Sequence, residues 1–527
     1  LNTWNNVKTI TDHNISLSGD YDVTGNIGLT FVVGATSNSQ VFDQNGVAST
    51  GQQVFNVLRH FNFENQDEIQ YYQKRNVSGV YGQAELDYDR FVYLTLAART
   101  DWVSNLSEEN RSITYPSASV SFLPTKVFDG LKSDLVNMLK VRVGLGASAD
   151  FPFGYPIASR LNLDTQSFIR NGAAIVANTS SSQLGNPALK PERMDELEFG
   201  IEGTFLNRRL GLDLSIYNKA TKDLRIDRPL DPSTGYTTTV TNIGKIENKG
   251  AEVDLSFIWV QAQQPGALEW TSNLNWSTNE AKVVDLGADT DYITYAGGSG
   301  YYNVAAPGYS LGTIVGSAIN RDASGNYKVL SNGFYDIKYG TDPEENTIGD
   351  ATPNFLLNFG NRITYKDFAL NFLISHVNGG DIMSMTTSVL LGRGLVEDTV
   401  DREQSFILPG VNPSGQPNTT QIVNSDFYFY NVLYGPGENR IYDGSVIRLQ
   451  EVSLTYNLPK SILDSTPFGS LSLSASGFNL WYDAYNTPDS VNFDPNVAGV
   501  GIGNGRGFDW LNGPSSKRYG LSLKATF

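Results

Sequence analysis

The sequence predicts an all-β fold, a transmembrane antiparallel β-barrel, on three observations. The last nine residues put Tyr519, Leu521, Leu523, Ala525 and Phe527 on one parity and Gly520, Ser522, Lys524 and Thr526 on the other. Side chains alternate between the faces of a strand, so this segment has one apolar and one polar face and ends on a phenyl ring. Segments with the same alternation recur along the 527 residues and return on themselves as hairpins. Their connections alternate between short and long, which is the pattern of a barrel with short periplasmic turns and long extracellular loops.

The elements follow in order. Asp12–Asp22 and Asn26–Ala35 flank the turn Tyr21–Gly25. Val77–Tyr88 carries Val80, Gly82, Ala84 and Leu86 opposite Tyr81, Gln83, Glu85 and Asp87, and the chain turns at Asp87–Asp89 into Arg90–Asp101. Tyr115–Pro124 and Lys140–Ser148 follow, joined by Pro124–Leu139, which has room for a helical turn or two. Met194–Asn207 turns at Leu206–Arg209 into Leu210–Ile226; Gly250–Gln261 pairs with Leu268–Val284. Asn354–Tyr365 turns at Lys366–Asp367 into Phe368–Val377. Gly444–Leu458, Ser470–Trp481 and Lys517–Phe527 complete a set of about 15 strands. Long outer connections are expected over 35–76, 146–193, 283–353, 377–442 and 482–516, rich in Gly, Asn, Asp, Ser, Thr and Tyr. Connections of that length usually mean function.

Parity adds an expectation about what lies upstream. A bacterial single-chain barrel begins and ends on the periplasmic side and so has an even strand number. An odd count, and the several kcal/mol per group that unpaired backbone costs in lipid, lead us to expect at least one further strand before Leu1, the alternative being a count that is off by one strand. Leu1–Ile10 has no basic start, apolar centre or cleavage site, so for an exported barrel the N-terminus is expected to have been removed or not to be part of this sequence.

Composition excludes several classes. There is no Cys, hence no disulfide scaffold and no thiolate metal or redox centre. No run of 18 apolar residues exists to make a membrane helix. The mean hydropathy of −0.26 resembles that of a water-soluble chain, but a barrel gives the same value because only alternate residues face lipid. A net charge of −17 disfavours nucleic acid, whose phosphates demand basic patches.

Motifs scattered along the chain carry a family resemblance. They are Ala98–Ser104 with Tyr115–Phe122, Gly185–Glu192 with Glu196 and Gly200, and Tyr217–Lys219 with Asp223–Leu224. Further on come Asn242–Glu252, Gly349–Phe355, Asp443–Leu449 with Tyr456–Pro459, and Gly477–Leu480 with Asp494–Pro495. In order and spacing the set resembles the SusC/RagA-like TonB-dependent transporters of Bacteroidetes outer membranes. The resemblance implies a multi-pass protein of the cell outer membrane with a barrel of about 22 strands, a size class whose lumen is plugged. It places Leu1 just before the eighth strand, with the plug domain and TonB box upstream and not in this sequence. It implies active import of oligosaccharides or oligopeptides, energised by TonB, beneath a SusD-like surface lipoprotein that acts as a lid. A non-transport reading, an outer-membrane platform for surface assembly, fits the same wall residues. The family often carries an acidic Gly-spaced turn before its GDATP element. Tyr335–Asp350 lacks that spacing, so no calcium site is expected there.

No enzymatic activity, cofactor or metal is expected. Gly308–Gly312 (GYSLG) has the spacing of a nucleophile elbow but no helical pattern after it, and only His376 lies downstream. Gly499–Gly507 does not open a helix after a strand, as a phosphate-binding loop would. His13, His60 and His376 follow no ligand spacing. Loop aromatics are better site material, because Tyr and Trp combine a flat apolar face with a hydrogen-bonding tip. Tyr301, Tyr302, Tyr428 and Trp510 are the substrate-binding candidates. Tyr519 and Phe527 are expected at the membrane interface, against outer-membrane lipid.

Overall fold

The computed structural model describes residues 1–170, 173–287, 290–497, 499 and 505–527. Among them, fifteen strands form one antiparallel sheet in chain order. They are β1 (Asn2–Thr24), β2 (Ile27–Gln52), β3 (Phe63–Tyr88), β4 (Val92–Val103), β5 (Ser112–Phe122), β6 (Val136–Asp150), β7 (Glu192–Phe205) and β8 (Leu210–Lys222). The rest are β9 (Lys245–Val260), β10 (Glu269–Asp285), β11 (Pro353–Tyr365), β12 (Phe368–Gly379), β13 (Val446–Asn457), β14 (Ser470–Asp483) and β15 (Arg518–Thr526). Each expected strand falls on one of these. The chain groups into two compact units, one of Leu1–Phe122, Arg142–Leu197 and Lys219–Lys245, the other of Leu123–Val141, Glu198–Asn218 and Ile246–Phe527.

In the first unit the alternation of single strands becomes rows across strands. Tyr21 pairs with Leu29, Leu29 with Leu86, Leu86 with Leu94 and Leu94 with Val120. The neighbouring row, Asp20, Thr30, Glu85, Thr95 and Ser119, faces the other way. Its members bond along the row, Thr30 to Asp20 at 2.7 Å and Thr95 to Glu85 at 3.1 Å. Leu17 and Tyr21 remain about two-thirds exposed, so the apolar rows have no protein cover. Tyr88, Phe91 and Phe122 gather at the short turn after β3, with ring centroids 5.3 and 6.2 Å apart.

The second unit repeats the arrangement. Ile363, Leu370, Leu454, Ala475 and Leu521 form one row, and Tyr365, Phe368, Tyr456, Leu473 and Leu523 the next. The aromatic members of the second row flank the short turn at Lys366, where φ is +52°. Trp259 stacks on Trp270 beside the turn between β9 and β10, and Phe468 meets Phe527 at 5.2 Å. Aromatic rings therefore collect at the short-turn ends of the strands in this unit too.

Three expectations are corrected. The loop expected over 35–76 is mostly strand: β2 and β3 continue through it, β1 pairs alongside from Asn2 to Ile15, and only 53–62 connects β2 to β3. The extension is mostly polar, and its few apolar residues, Val41, Phe42, Tyr71 and Tyr72 among them, fall on both faces, so no apolar stripe marked it. Within 146–193, β6 reaches Asp150, and two further strands, Leu161–Arg170 and Ala173–Ser180, pair with each other. The strand expected to run to Ile226 stops at Lys222, and Arg225–Pro229 and Thr238–Asn242 form a separate hairpin. As expected, 124–139 holds helical turns, Pro124–Val127 and Asp129–Leu131. Of Gly499–Gly507, residues 500–504 lie outside the described residues, as do parts of the connections 146–193, 283–353 and 482–516.

Candidate functional site

In the second unit three long connections, 286–352, 380–445 and 484–517, fold together and have cores of their own. Tyr301, Ile314 and Ala351 from the first pack with Met383 from the second and Phe508 from the third. Backbone hydrogen bonds also join them: Asp381–Ser384 pairs antiparallel with Ile441–Asp443 and in parallel with Phe508–Asp509. Asp509 is fully buried and accepts from Ser384 Oγ at 2.8 Å and from Thr386 N at 3.0 Å. Ile319, Val329, Tyr335, Leu408 and Ile422 make a second cluster; Ile382, Leu391, Val432, Val491 and Phe493 make a third.

The candidate aromatics sit in this body. Tyr301 is buried, and its ring lies 6.3 Å from half-buried Trp510. Below it Arg440, also buried, donates to the carbonyls of Val432 at 2.9 Å and Leu433 at 2.6 Å, with its guanidinium 5.5 Å from the Tyr301 ring. Gly437 has to be glycine here, because any Cβ would strike that ring. Tyr302 is half-buried on the strand Tyr301–Ala305. Tyr428 lies apart from Tyr301 in sequence and packs on the third cluster from the π-helix Phe427–Leu433. That segment also presents Tyr430 and, just after it, Tyr434, both about half exposed around Phe429. Of the two interface candidates, Tyr519 is 77% and Phe527 90% exposed.

Two carboxylates fix the loop body electrostatically. Arg448 on β13 makes a bidentate ion pair with Asp494, both nearly fully buried, one arm at 3.0 Å. Burial pushes the Asp494 carboxyl up, but hydrogen bonds from Arg448, Ser515 and the Asn496 N–H outweigh it and hold it below the usual range. Asp381 goes the other way. Burial raises it, nearby Asp443 and Asp350 add to that, and one hydrogen bond from the Asp350 N–H, at 2.8 Å, opposes them. In the GYSLG segment, Ser310 Oγ shares a hydrogen bond with Thr352 at 3.0 Å and accepts one from Gly312 N, while His376 bonds Tyr485 at 3.0 Å.

The first unit has its own loop cluster, of Val103, Leu106, Phe151 and Leu189. Beside it opens a cleft of about 580 Å³. One side is aromatic: Tyr71 of β3, Phe153 and Tyr155. Phe153 is 84% exposed, with the Arg75 guanidinium 5.7 Å from its ring. Tyr155 donates its hydroxyl to the Lys74 carbonyl at 2.9 Å, which fixes the ring. The other side is polar: Arg160, Gln183, Glu192, Arg225 and Asp227. Arg225 is closed by two carboxylates, Glu192 at 3.0 Å and Asp150. Of these cleft residues only Glu192, in the Gly185–Glu192 motif, stood out in the sequence. Phe153 lies between two prolines in a loop, and nothing in the sequence brings Tyr71 and Asp227 to it.

Residues 2–378 match the family model described as TonB dependent receptor-like, beta-barrel. The chain belongs to that family. Among curated receptors of the kind, TonB-dependent receptor P3 of Formosa agariphila is 26% identical over 90% of this chain and 46% of its own length. TonB-dependent receptor SusC of Bacteroides thetaiotaomicron is 26% identical over 40% of this chain and 21% of its own length. The chain thus spans about half the length of the first curated receptors it matches. A solved structure of the RagAB peptide transporter superposes with a TM-score of 0.75 over 100% of this chain and 56% of the other, at 17% identity. The SusC/RagA resemblance read from the motifs is borne out, and so is the antiparallel sheet of a TonB-dependent receptor barrel.

Proposed function

We propose that residues 1–527 are the C-terminal portion of the barrel of an outer-membrane importer. It would be energised by TonB acting through a plug outside this sequence and would take up oligosaccharides or oligopeptides beneath a SusD-like lipoprotein lid. The observation that carries this reading is the uncovered apolar rows, with aromatic rings massed at the short-turn ends. Such rows are costly in water and favourable against hydrocarbon, and rings of this kind settle at the headgroup level. Phe527 then belongs to that interfacial girdle, and Tyr519, at the long-connection end of β15, to the girdle of the opposite interface. The connections 286–352, 380–445 and 484–517 are the extracellular loops, and Tyr302, Tyr428 and Trp510, with Tyr301 as support beneath, are the substrate-facing aromatics among them.

Uptake of labelled oligosaccharide and oligopeptide pools by cells carrying the complete receptor tests this. Uptake should cease when TonB is removed, while surface capture with the co-purifying lipoprotein persists. Uptake indifferent to TonB would refute energised import. A receptor that binds its lipoprotein but moves nothing in either background would be a surface-assembly platform instead.

A further inference from the structure

We infer that the cleft of the first unit is a binding site for an uncharged oligosaccharide, with Tyr71, Phe153 and Tyr155 as its stacking wall and Gln183 and Asp227 as its hydrogen-bonding groups. This rests on the import reading and narrows its substrate class. Its volume of about 580 Å³ lies within the roughly 300–1,000 Å³ usual for small-ligand sites. Aromatic and polar groups line it together. A sugar ring is two-sided in the same way, with C–H groups on its face and hydroxyls at its rim. Aromatic faces take the former, and amide or carboxylate side chains take the latter.

Charge separates neutral sugars from acidic ones. The lining holds two arginines, Arg160 and Arg225, against two carboxylates, Glu192 and Asp227, a net of zero. Arg225 is already engaged by Glu192 and Asp150 and is only 12% exposed, so it is not offered to an incoming anion. Asp227 is exposed and has no ion-pair or hydrogen-bond partner among the described residues. It accepts from a hydroxyl and opposes a uronate or sulfate that exposed Arg160 would otherwise attract, so an acidic sugar gains no net pull from the cleft.

Backbone geometry separates sugars from peptides. An extended peptide is commonly held by adding a strand to an open edge. The edge lining this cleft is Arg225–Pro229, paired on its other side with Thr238–Asn242. Residues 225, 227 and 229 direct their N–H groups the same way. The Arg225 N–H is used by Glu192 at 2.8 Å, and Pro229 has none. A single N–H, that of Asp227, is left, too few for a ladder.

Calorimetry on the complete purified receptor tests the assignment, with neutral gluco-, manno- and xylo-hexasaccharides, an oligogalacturonate and a pool of hexapeptides as probes. At least one neutral hexasaccharide should bind. Phe153→Ala should weaken it about ten-fold, a loss in the range of one well-placed aromatic contact. Phe153→Tyr should restore it, and Asp227→Asn should weaken the neutral sugar less than it improves the oligogalacturonate. Failure of every neutral sugar to bind, tighter binding of the peptides or the uronate, or indifference to Phe153→Ala and Tyr71→Ala would each overturn the inference. TonB-independent uptake with the calorimetry as expected would overturn the import reading alone, so the two failures are distinguishable.

Discussion

Arg448 and Asp494 join β13 to a loop whose Val491 and Phe493 also pack into the third cluster, and both are out of water. A buried pair is a weak source of net stability, but removing one partner strands the other charge. Arg448→Ala is expected to lower the local opening free energy of 484–517 by about 3–5 kcal/mol, read as faster amide exchange there with the sheet unchanged. The Asp494 carboxyl is depressed when folded, so its contribution is complete above the ordinary value of about 3.9 and is lost as pH falls through its lower folded value. Asp381 has the opposite sign. Its folded carboxyl is raised, so the stability linked to it is present below about 3.9 and lost as pH rises through the folded value. Asp381→Asn keeps an acceptor for the Asp350 N–H and should slow exchange in Asp381–Ser384 at neutral pH, with a smaller gain at pH 4. A slower rate in Arg448→Ala, or a faster one in Asp381→Asn, would contradict these assignments.

Strands were legible because period two is a property of the local sequence. Leu94 and Leu96 alternate with Thr95, and Leu521 and Leu523 with Ser522, and no partner needs to be known. The extension of β2 and β3 through 35–76 was not legible: its residues are mostly polar, its few apolar ones keep no single parity, and pairing there is decided by the neighbouring strand, not by a stripe. Equally hidden were the loop cores, since Ile314, Met383 and Phe508 are far apart in the chain and follow no period. The rows give a direct test. Val452 shares the face of Leu454 and Tyr456, about half a membrane thickness from the aromatic row by strand rise. Val452→Arg should destabilise the complete receptor in vesicles by about 2–4 kcal/mol in a urea titration, whereas Ser453→Arg, on the polar face, should change it by no more than about 0.5 kcal/mol. Equal costs would mean the two faces do not see different solvents. At the far end of the β2–β3 hairpin, buried Asn62 donates to the carbonyls of Val54 at 2.7 Å and Val57 at 3.0 Å. Asn62→Ala should make 53–62 the first site of nicking by a non-specific protease, with the strands left intact.

Across the whole molecule the two kinds of information divide by function. The sheet is written in alternation and was read from it; the loop body depends on contacts between connections and was not. The family motifs bridged part of that gap, since Asp494–Pro495 and Asp443–Leu449 were recognised before their roles were visible. Asp494 proves to be one half of the buried ion pair, and Ile441–Asp443 one strand of the three-part junction with Asp381–Ser384 and Phe508–Asp509. Because Tyr301, Met383 and Phe508 share one core although three separate connections supply them, these outer segments cannot be inherited one at a time. A chimera that imports only 286–352 from a relative would seat a foreign surface against Met383 and Phe508 and misfold, while one that imports all three should mature normally. Diversification of such a protein would then proceed by exchange of all three segments together or by point changes on their outermost skin, with few viable intermediates between.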